Sequence, residues 1–265
     1  MKIKLVILSC VAPVAMLHAA PLVSFDAAVA GSGVTPTGVV PAWTFSGGGN
    51  PQMVNNGSYL LQNNSPTTYG EYYSPSAGAG TMVYQTSTYG IGFTVRPLTD
   101  VPFVGSDWSN LYLGWADNAF FYNVTIDKFS GGSSSGTGDI VYGQGSFSPA
   151  ITNIDWTVKH DIYIGVRGPA GSFGEFDFYL DGALQSTVSG GSIARSRTGW
   201  AFLENEVAFG DGTSGGTNAQ AEWYSVAIYN SAVPIPEPAH LALTGFAALG
   251  LLRVLRRTRR ACQTI

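Results

Sequence analysis

The chain has 265 residues, of which 11% are charged, 12% are aromatic and 34 are glycine. Between its two ends it carries six Lys and Arg against sixteen Asp and Glu, a formal balance of −10, so it offers no basic stripe for nucleic acid. Low charge with many aromatics and dispersed glycine excludes a disordered chain and points to strands and turns.

The first segment reads as a secretory signal peptide over residues 1–20, which implies passage through the Sec translocon. Lys2 and Lys4 precede an apolar run from Leu5 to Leu17, and Ala19-Ala20 supplies small residues for cleavage. Cleavage after Ala19 is favoured, because cutting after Ala20 would place Pro21 directly behind the bond. The two cysteines, Cys10 and Cys262, both fall in segments expected to be removed. The mature body then has no disulfide and relies on its core alone.

The body spans residues 21–232, ample for a single core. Residues 21–40 suggest an entry strand plus loop. Asn55-Asn56-Gly57 is a turn signal that opens the short strand Ser58-Tyr-Leu-Leu-Gln. Thr81–Gln85 and Tyr89–Arg96 have strand composition, and in the latter Ile91, Phe93 and Val95 alternate with Gly92, Thr94 and Arg96. Two further strands, 110–115 and 119–129, flank Ala116-Asp117-Asn118. The glycine- and serine-rich run 131–138 precedes neither a lysine nor a helix, so it is a surface loop and not a phosphate cradle. Strands follow at 161–167, at 174–188 with Asp181-Gly182 as a two-residue hairpin turn, at 206–210 and at 221–229. Roughly a dozen short strands and no helix outside the ends predict an all-β protein, an antiparallel β-sandwich or barrel.

The motif order sharpens this. Gly57-Ser-Tyr-Leu-Leu, then Tyr179-Leu-Asp-Gly, Phe209-Gly-Asp-Gly and a last strand Glu222-Trp-Tyr-Ser-Val-Ala-Ile-Tyr together resemble concanavalin A-like, laminin-G-like jelly rolls. The resemblance implies a jelly-roll sandwich and, by fold analogy only, carbohydrate recognition.

The remaining residues, 233–265, have three parts in fixed order. Pro236, Glu237 and Pro238 come first; two prolines bar a helix from running through them. An apolar stretch over about 239–255 follows, which as a helix would reach roughly 25 Å, slightly short of a hydrocarbon core of about 30 Å. Arg253, Arg256, Arg257, Arg259 and Arg260 then make a basic end over 253–260, fitted to the cytoplasmic side and able to snorkel. This tail resembles the PEP-CTERM sorting signal of Gram-negative bacteria that make exopolysaccharide. The resemblance implies an inner-membrane intermediate, recognition by an exosortase, processing near Pro236–Pro238, and release or transfer to the cell surface. Ala239-His240 replaces the family's common small hydroxyl residue.

Three kinds of chemistry deserve weighing. Glu175, Asp177 and Tyr179 share one strand face. The arrangement is similar to the Glu-x-Asp-x-(x)-Glu of laminarinase-type glycosidases, but Tyr179 or Leu180 stands where the second glutamate should be. Retaining hydrolysis needs two carboxyls about 5–5.5 Å apart, so a non-catalytic protein is expected, with a hydrolase or lyase as the alternative. His160 is the only histidine of the body, which disfavours both a Ser-His-Asp triad and a zinc site. For calcium, Asp211, Thr213 and Asn218 form an oxygen-rich loop, and Asp107, Asp117 and Asn118 a second. Millimolar calcium should then raise the melting temperature, and an identical melt in chelator would dispose of both sites.

A glycan site is expected at Trp108, Tyr112, Trp115, Asp117 and Asn118, with Tyr122 nearby, since aromatics stack on sugar faces and the polar pair bonds hydroxyls. The expectation is thus an exported surface or matrix protein with a sandwich that binds exopolysaccharide. A purely structural or adhesive module is the other alternative.

Overall fold

Alternation of apolar with small or polar residues builds sixteen strands among the described residues. They are β1 (Val23–Asp26), β2 (Thr44–Gly47), β3 (Gln52–Asn55), β4 (Leu60–Asn63), β5 (Gly70–Tyr73), β6 (Thr88–Pro97), β7 (Tyr112–Ala116) and β8 (Phe120–Asp127). There follow β9 (Thr137–Gln144), β10 (Ser146–Asp155), β11 (His160–Arg167), β12 (Glu175–Leu180), β13 (Ala183–Ser189), β14 (Ala194–Ser196), β15 (Glu206–Asp211) and β16 (Gln220–Tyr229).

The structure is a computed structural model and describes residues 21–47, 52–63, 70–74, 88–98, 111–116, 120–127, 136–144, 146–168, 174–190, 194–196, 206–211 and 220–234. The expected signal peptide, the strand at 81–85, Pro236–Pro238, the apolar stretch 239–255 and the five arginines lie outside these residues. Among the described residues no helix is long and apolar enough to cross a membrane.

Two eight-stranded antiparallel sheets form a sandwich. The first runs β13-β12-β11-β6-β16-β4-β3 with β1 beside β16, and the second runs β10-β9-β8-β7-β15-β5-β2 with β14 beside β8. β16 is the hinge of the first sheet. One of its edges pairs with β6 throughout, while the other is shared by β4 over residues 220–223 and β1 over 225–228. The β6 register slips between Trp223 and Ser225, leaving Tyr224 as the extra residue of a bulge. The amide of Leu22 donates to the carbonyl of Ile228 at 2.8 Å, so the beginning of the sandwich lies beside the end of β16.

The core lies between the inner faces and is stitched by aromatics. Phe209 of the second sheet meets Trp223 of the first at 4.8 Å between ring centroids, and Trp115 of the second meets Phe176 of the first at 5.9 Å. The indole nitrogens of these two tryptophans find partners inside: Trp115 donates to the Tyr89 hydroxyl at 2.9 Å and Trp223 to Gln62 at 2.8 Å. Each fully buried side chain of this kind contributes on the order of 1.5–3 kcal/mol from area removed from water.

The entry segment differs from expectation. After β1, Asp26 accepts hydrogen bonds from the amides of Ala28 and Val29 at 2.8 and 3.0 Å and so caps a single helical turn, α1 (Ala27–Ala30). A short carboxylate at this position satisfies two otherwise orphan donors, which local composition alone did not reveal. A 3₁₀ turn follows at Pro36–Gly38.

Candidate functional site

The outward face of the first sheet carries the most organised polar cluster among the described residues. On β6, Tyr89, Ile91, Phe93 and Val95 point into the core, which leaves Gly90, Gly92, Thr94 and Arg96 outside. Register carries the outer row from Arg96 to Glu222 on β16, Leu61 on β4 and Val54 on β3. The bulge at Tyr224 swings one more ring to this end of the face.

Glu222 is the buried centre of the cluster. Its carboxylate accepts from the Arg96 guanidinium at 2.8 Å through one oxygen and from the Tyr224 hydroxyl at 2.8 Å through the other. Burial, and then the bond to Glu222, push the Tyr224 phenol up to about 12, so it stays a donor at neutral pH. Tyr59, held just behind the Asn56–Tyr59 turn, tilts against Tyr224 with centroids 5.5 Å apart. The ammonium of Lys159 sits over the Tyr224 ring at 4.5 Å, a cation–π contact. Lys159 is exposed, and no described carboxylate lies within ion-pair distance of it. The patch therefore presents two half-buried phenol rings, the exposed Lys159 ammonium and a shared guanidinium.

A second cluster lies nearer the other end of the same face. Asp177 on β12 is only 6% exposed, although strand alternation alone would turn it to water with Glu175. Arg167 from the neighbouring β11 donates to both its oxygens, Nε at 2.7 Å and an Nη at 2.8 Å, and the Thr187 hydroxyl of β13 adds a third bond at 2.6 Å. The same guanidinium reaches Glu175 at 3.0 Å. Burial pushes the Asp177 carboxyl up, but the bonds from Arg167 and Thr187 and the guanidinium charge outweigh it, so the group titrates below the usual carboxylate range. A depressed carboxylate stabilises the fold above its unfolded value, near 3.9, and that stability is lost as pH falls through the lower folded value. Arg167→Ala is expected to destabilise the fold at neutral pH, because it removes two of the hydrogen bonds that hold the buried Asp177 carboxylate. Urea unfolding at pH 7 and at pH 3 checks this, because the difference between variant and parent should shrink in acid.

His160 is equally committed. Its Nδ1 contacts Asp181 at 2.8 Å and its Nε2 the carbonyl of Asp155 at 2.8 Å, tying two turns together with no serine in reach among its described partners.

The residues singled out from sequence distribute differently. Trp115 is fully buried, stacked on Tyr122 at 5.4 Å between centroids, and faces the core instead of a sugar. The reason is parity: Leu113 and Trp115 lie two residues apart on β7 and so share its buried apolar face. Tyr112 pairs with Thr125 and Gly210 in the second sheet. Trp108, Asp117 and Asn118 lie outside the described residues, and so do Thr213 and Asn218 of the expected calcium loop. Asp211 ends β15 and is fully buried in it, opposite Gly70 of β5, not displayed on a loop. Among the described residues no three His, Cys, Asp or Glu gather as a metal site. Tyr59, Tyr224 and Lys159 escaped notice. A tyrosine at the wet register of Glu222-Trp-Tyr was the available signal.

No protein-family model matches this sequence, and no curated protein matches it. Solved structures do resemble it. The conserved carbohydrate esterase of the Shiga toxin-encoding bacteriophage phi24B superposes with a TM-score of 0.52 at 12% identity, covering 80% of this chain and 98% of that one. The receptor binding domain of botulinum neurotoxin D gives 0.47 at 9% identity over 73% of this chain. The binding domain of botulinum neurotoxin DC in complex with SialylT gives 0.44 at 11% identity over 73%. The likeness is one of fold. The chain spans less than half the length of either toxin chain, 45% and 44%.

Proposed function

We propose that this chain is an exported, non-catalytic cell-surface or matrix protein whose sandwich binds carbohydrate through the Tyr59–Tyr224 patch. The observation that carries the reading is the pair of half-buried phenol rings held beside Lys159, Arg96 and Glu222. A pyranose face stacks on Tyr59, and the ammonium and guanidinium donate to its hydroxyls. The fold shared with a carbohydrate esterase is compatible with this and adds nothing about the site. The proposed body is a jelly roll of the concanavalin A-like kind.

A non-catalytic role is supported by the state of the two strand carboxylates. Arg167 engages both Glu175 and Asp177, and Asp177 titrates below the usual carboxylate range, so Asp177 is not tuned as a general acid.

Delivery is assigned to the two ends. Residues 1–20 direct the chain through the Sec translocon of a Gram-negative bacterium. Pro236–Pro238, the apolar stretch and the arginines hold it in the inner membrane as an exosortase substrate, and processing passes the domain to the surface or the exopolysaccharide matrix. Mass spectrometry of the mature protein tests this. A first residue near Pro21 and a last residue near Pro236–Pro238 are expected, whereas a mature chain still carrying Arg253–Arg260 would refute processing.

A further inference from the structure

Four elements assemble the Tyr59–Tyr224 patch, and local bonds place each of them. Asn56 closes the turn between β3 and β4. Its side-chain oxygen accepts from the amides of Ser58 and Tyr59 at 2.9 and 3.0 Å, and its amide donates to the Tyr59 carbonyl at 3.1 Å. Behind it the buried Asn55 accepts from the Gly57 amide at 2.7 Å and donates to the carbonyls of Ala27 and Val34 at 3.0 and 2.8 Å. Lys159 follows a second tight turn, where the Asp155 carboxylate accepts from the Thr157 amide at 3.0 Å and its hydroxyl at 2.6 Å. β6 and β16 supply Arg96 and Glu222 from paired register positions.

The side chains gathered there are unequal in what they offer a ligand. A carboxylate accepts hydrogen bonds, an ammonium or guanidinium only donates them, and a sugar hydroxyl does both. Glu222 is the carboxylate of the patch; its side chain is 5% exposed, and each oxygen already accepts, one from Arg96 and the other from Tyr224. That bond also engages the Tyr224 hydroxyl as a donor, while the Tyr59 hydroxyl can act either way. What faces outward is mostly donors. The Lys159 ammonium lies over the Tyr224 ring, and the Arg96 guanidinium, 35% exposed, gives one of its five N–H groups to Glu222. A neutral pyranose brings donors as well as acceptors, and its donors find few side-chain acceptors here. A sugar with an acid group brings acceptors alone at that group.

We propose that the patch selects anionic saccharides, whose carboxylate or sulfate lies against Lys159 and Arg96 while the sugar ring stacks on Tyr59. The proposal rests on the reading of this patch as a carbohydrate site and adds the class of carbohydrate. The acid group accepts charge-assisted hydrogen bonds from the ammonium and from the exposed N–H groups of Arg96, and these are roughly twice as strong as neutral ones. The acidity of the body as a whole opposes this little, because charges beyond about 8 Å are largely screened at physiological ionic strength. Glu222 is the one carboxylate among the described groups whose charge acts on Arg96 or Tyr224. Two cations stand against it.

The test applies the full-length chain, Lys159→Gln and Lys159→Arg to an array of neutral, carboxylated and sulfated oligosaccharides at physiological ionic strength. The parent is expected to bind acidic members more tightly than neutral ones of the same backbone. Lys159→Gln should weaken the acidic members about fivefold, the upper end for an exposed ion pair, and move neutral ones by less than about twofold. Lys159→Arg, which keeps the charge, should retain the preference. Lys159 is exposed, so both variants should melt as the parent does and binding is compared on folded protein. Preference for carboxylated or for sulfated members identifies the acid group, and either supports the proposal. Neutral members bound as tightly as acidic ones, or a Lys159→Gln chain that keeps the parental preference or loses both classes equally, would overturn it and leave the patch a carbohydrate site. A parent that binds no member, or an acidic preference that survives Tyr59→Ala/Tyr224→Ala, would overturn the underlying reading and the selectivity with it.

Discussion

Trp115→Ala is expected to lower the free energy of unfolding by about 3–5 kcal/mol, the range for deleting a large buried aromatic. For a sandwich of this size that corresponds to roughly 6–20 °C in melting temperature. The indole is fully buried, stacks on Tyr122, touches Phe176 of the facing sheet, and bonds the Tyr89 hydroxyl. Its removal opens a void between the sheets and deletes the hydrogen bond to the Tyr89 hydroxyl. Trp115→Phe, which keeps most of the packing and loses the hydrogen bond, should cost less than half as much. Thermal melts followed by near-ultraviolet circular dichroism check both. A Trp115→Ala protein with parental stability and lost sugar binding would return the residue to the surface role that its neighbours in sequence suggested.

The second large effect concerns binding and leaves stability nearly untouched. Tyr59→Ala combined with Tyr224→Ala should weaken carbohydrate binding at least tenfold, about 1.4 kcal/mol, because the stacking surface is gone. Both rings are half-buried on the outer face and neither belongs to the core, so the melting temperature should move by only a few degrees. Tyr224→Phe separates the contributions. It retains the ring and the seat for Lys159 but frees one oxygen of Glu222, so an intermediate loss is expected. Isothermal titration with a panel of oligosaccharides measures the series.

Much of the sandwich is legible in the sequence, and the reason is local. In β6 and β11 one face is apolar at every second residue, and a one-residue slip would turn that face to water, so the pattern fixes both strand and orientation. The β12–β13 hairpin is equally explicit, since Asp181 and Gly182 adopt φ of 49° and 80°, the left-handed pair a two-residue turn demands. β9 and β10 were invisible for opposite reasons. Gly138 and Gly143 dilute the pattern of β9, and Pro149 argues against a central strand; β10 is the edge strand of its sheet, where a missing donor is tolerated.

The site was less legible because sites are made by cross-strand neighbours. Asp177 sits at an outward register, so alternation alone sends it to water. Arg167 comes ten positions earlier on β11 and Thr187 ten later on β13, and only the sheet brings all three together. Trp115 failed in the other direction. Nearness in sequence to Asp117 and Asn118 suggested a sugar site, while the shared parity of Leu111, Leu113 and Trp115, all fully buried, marked it as core. Alternation puts Tyr224 on the face of Glu222, but only the fold brings Tyr59 and Lys159 to its ring.

The most direct measurement is the binding of the full-length chain and its Tyr59→Ala/Tyr224→Ala variant to a glycan array at equal folded concentration. The account predicts that the parent binds a defined set of saccharides above background and that the variant, with a near-parental melt, loses them. A parent that binds nothing above background, or a variant that binds as well as the parent, would contradict it.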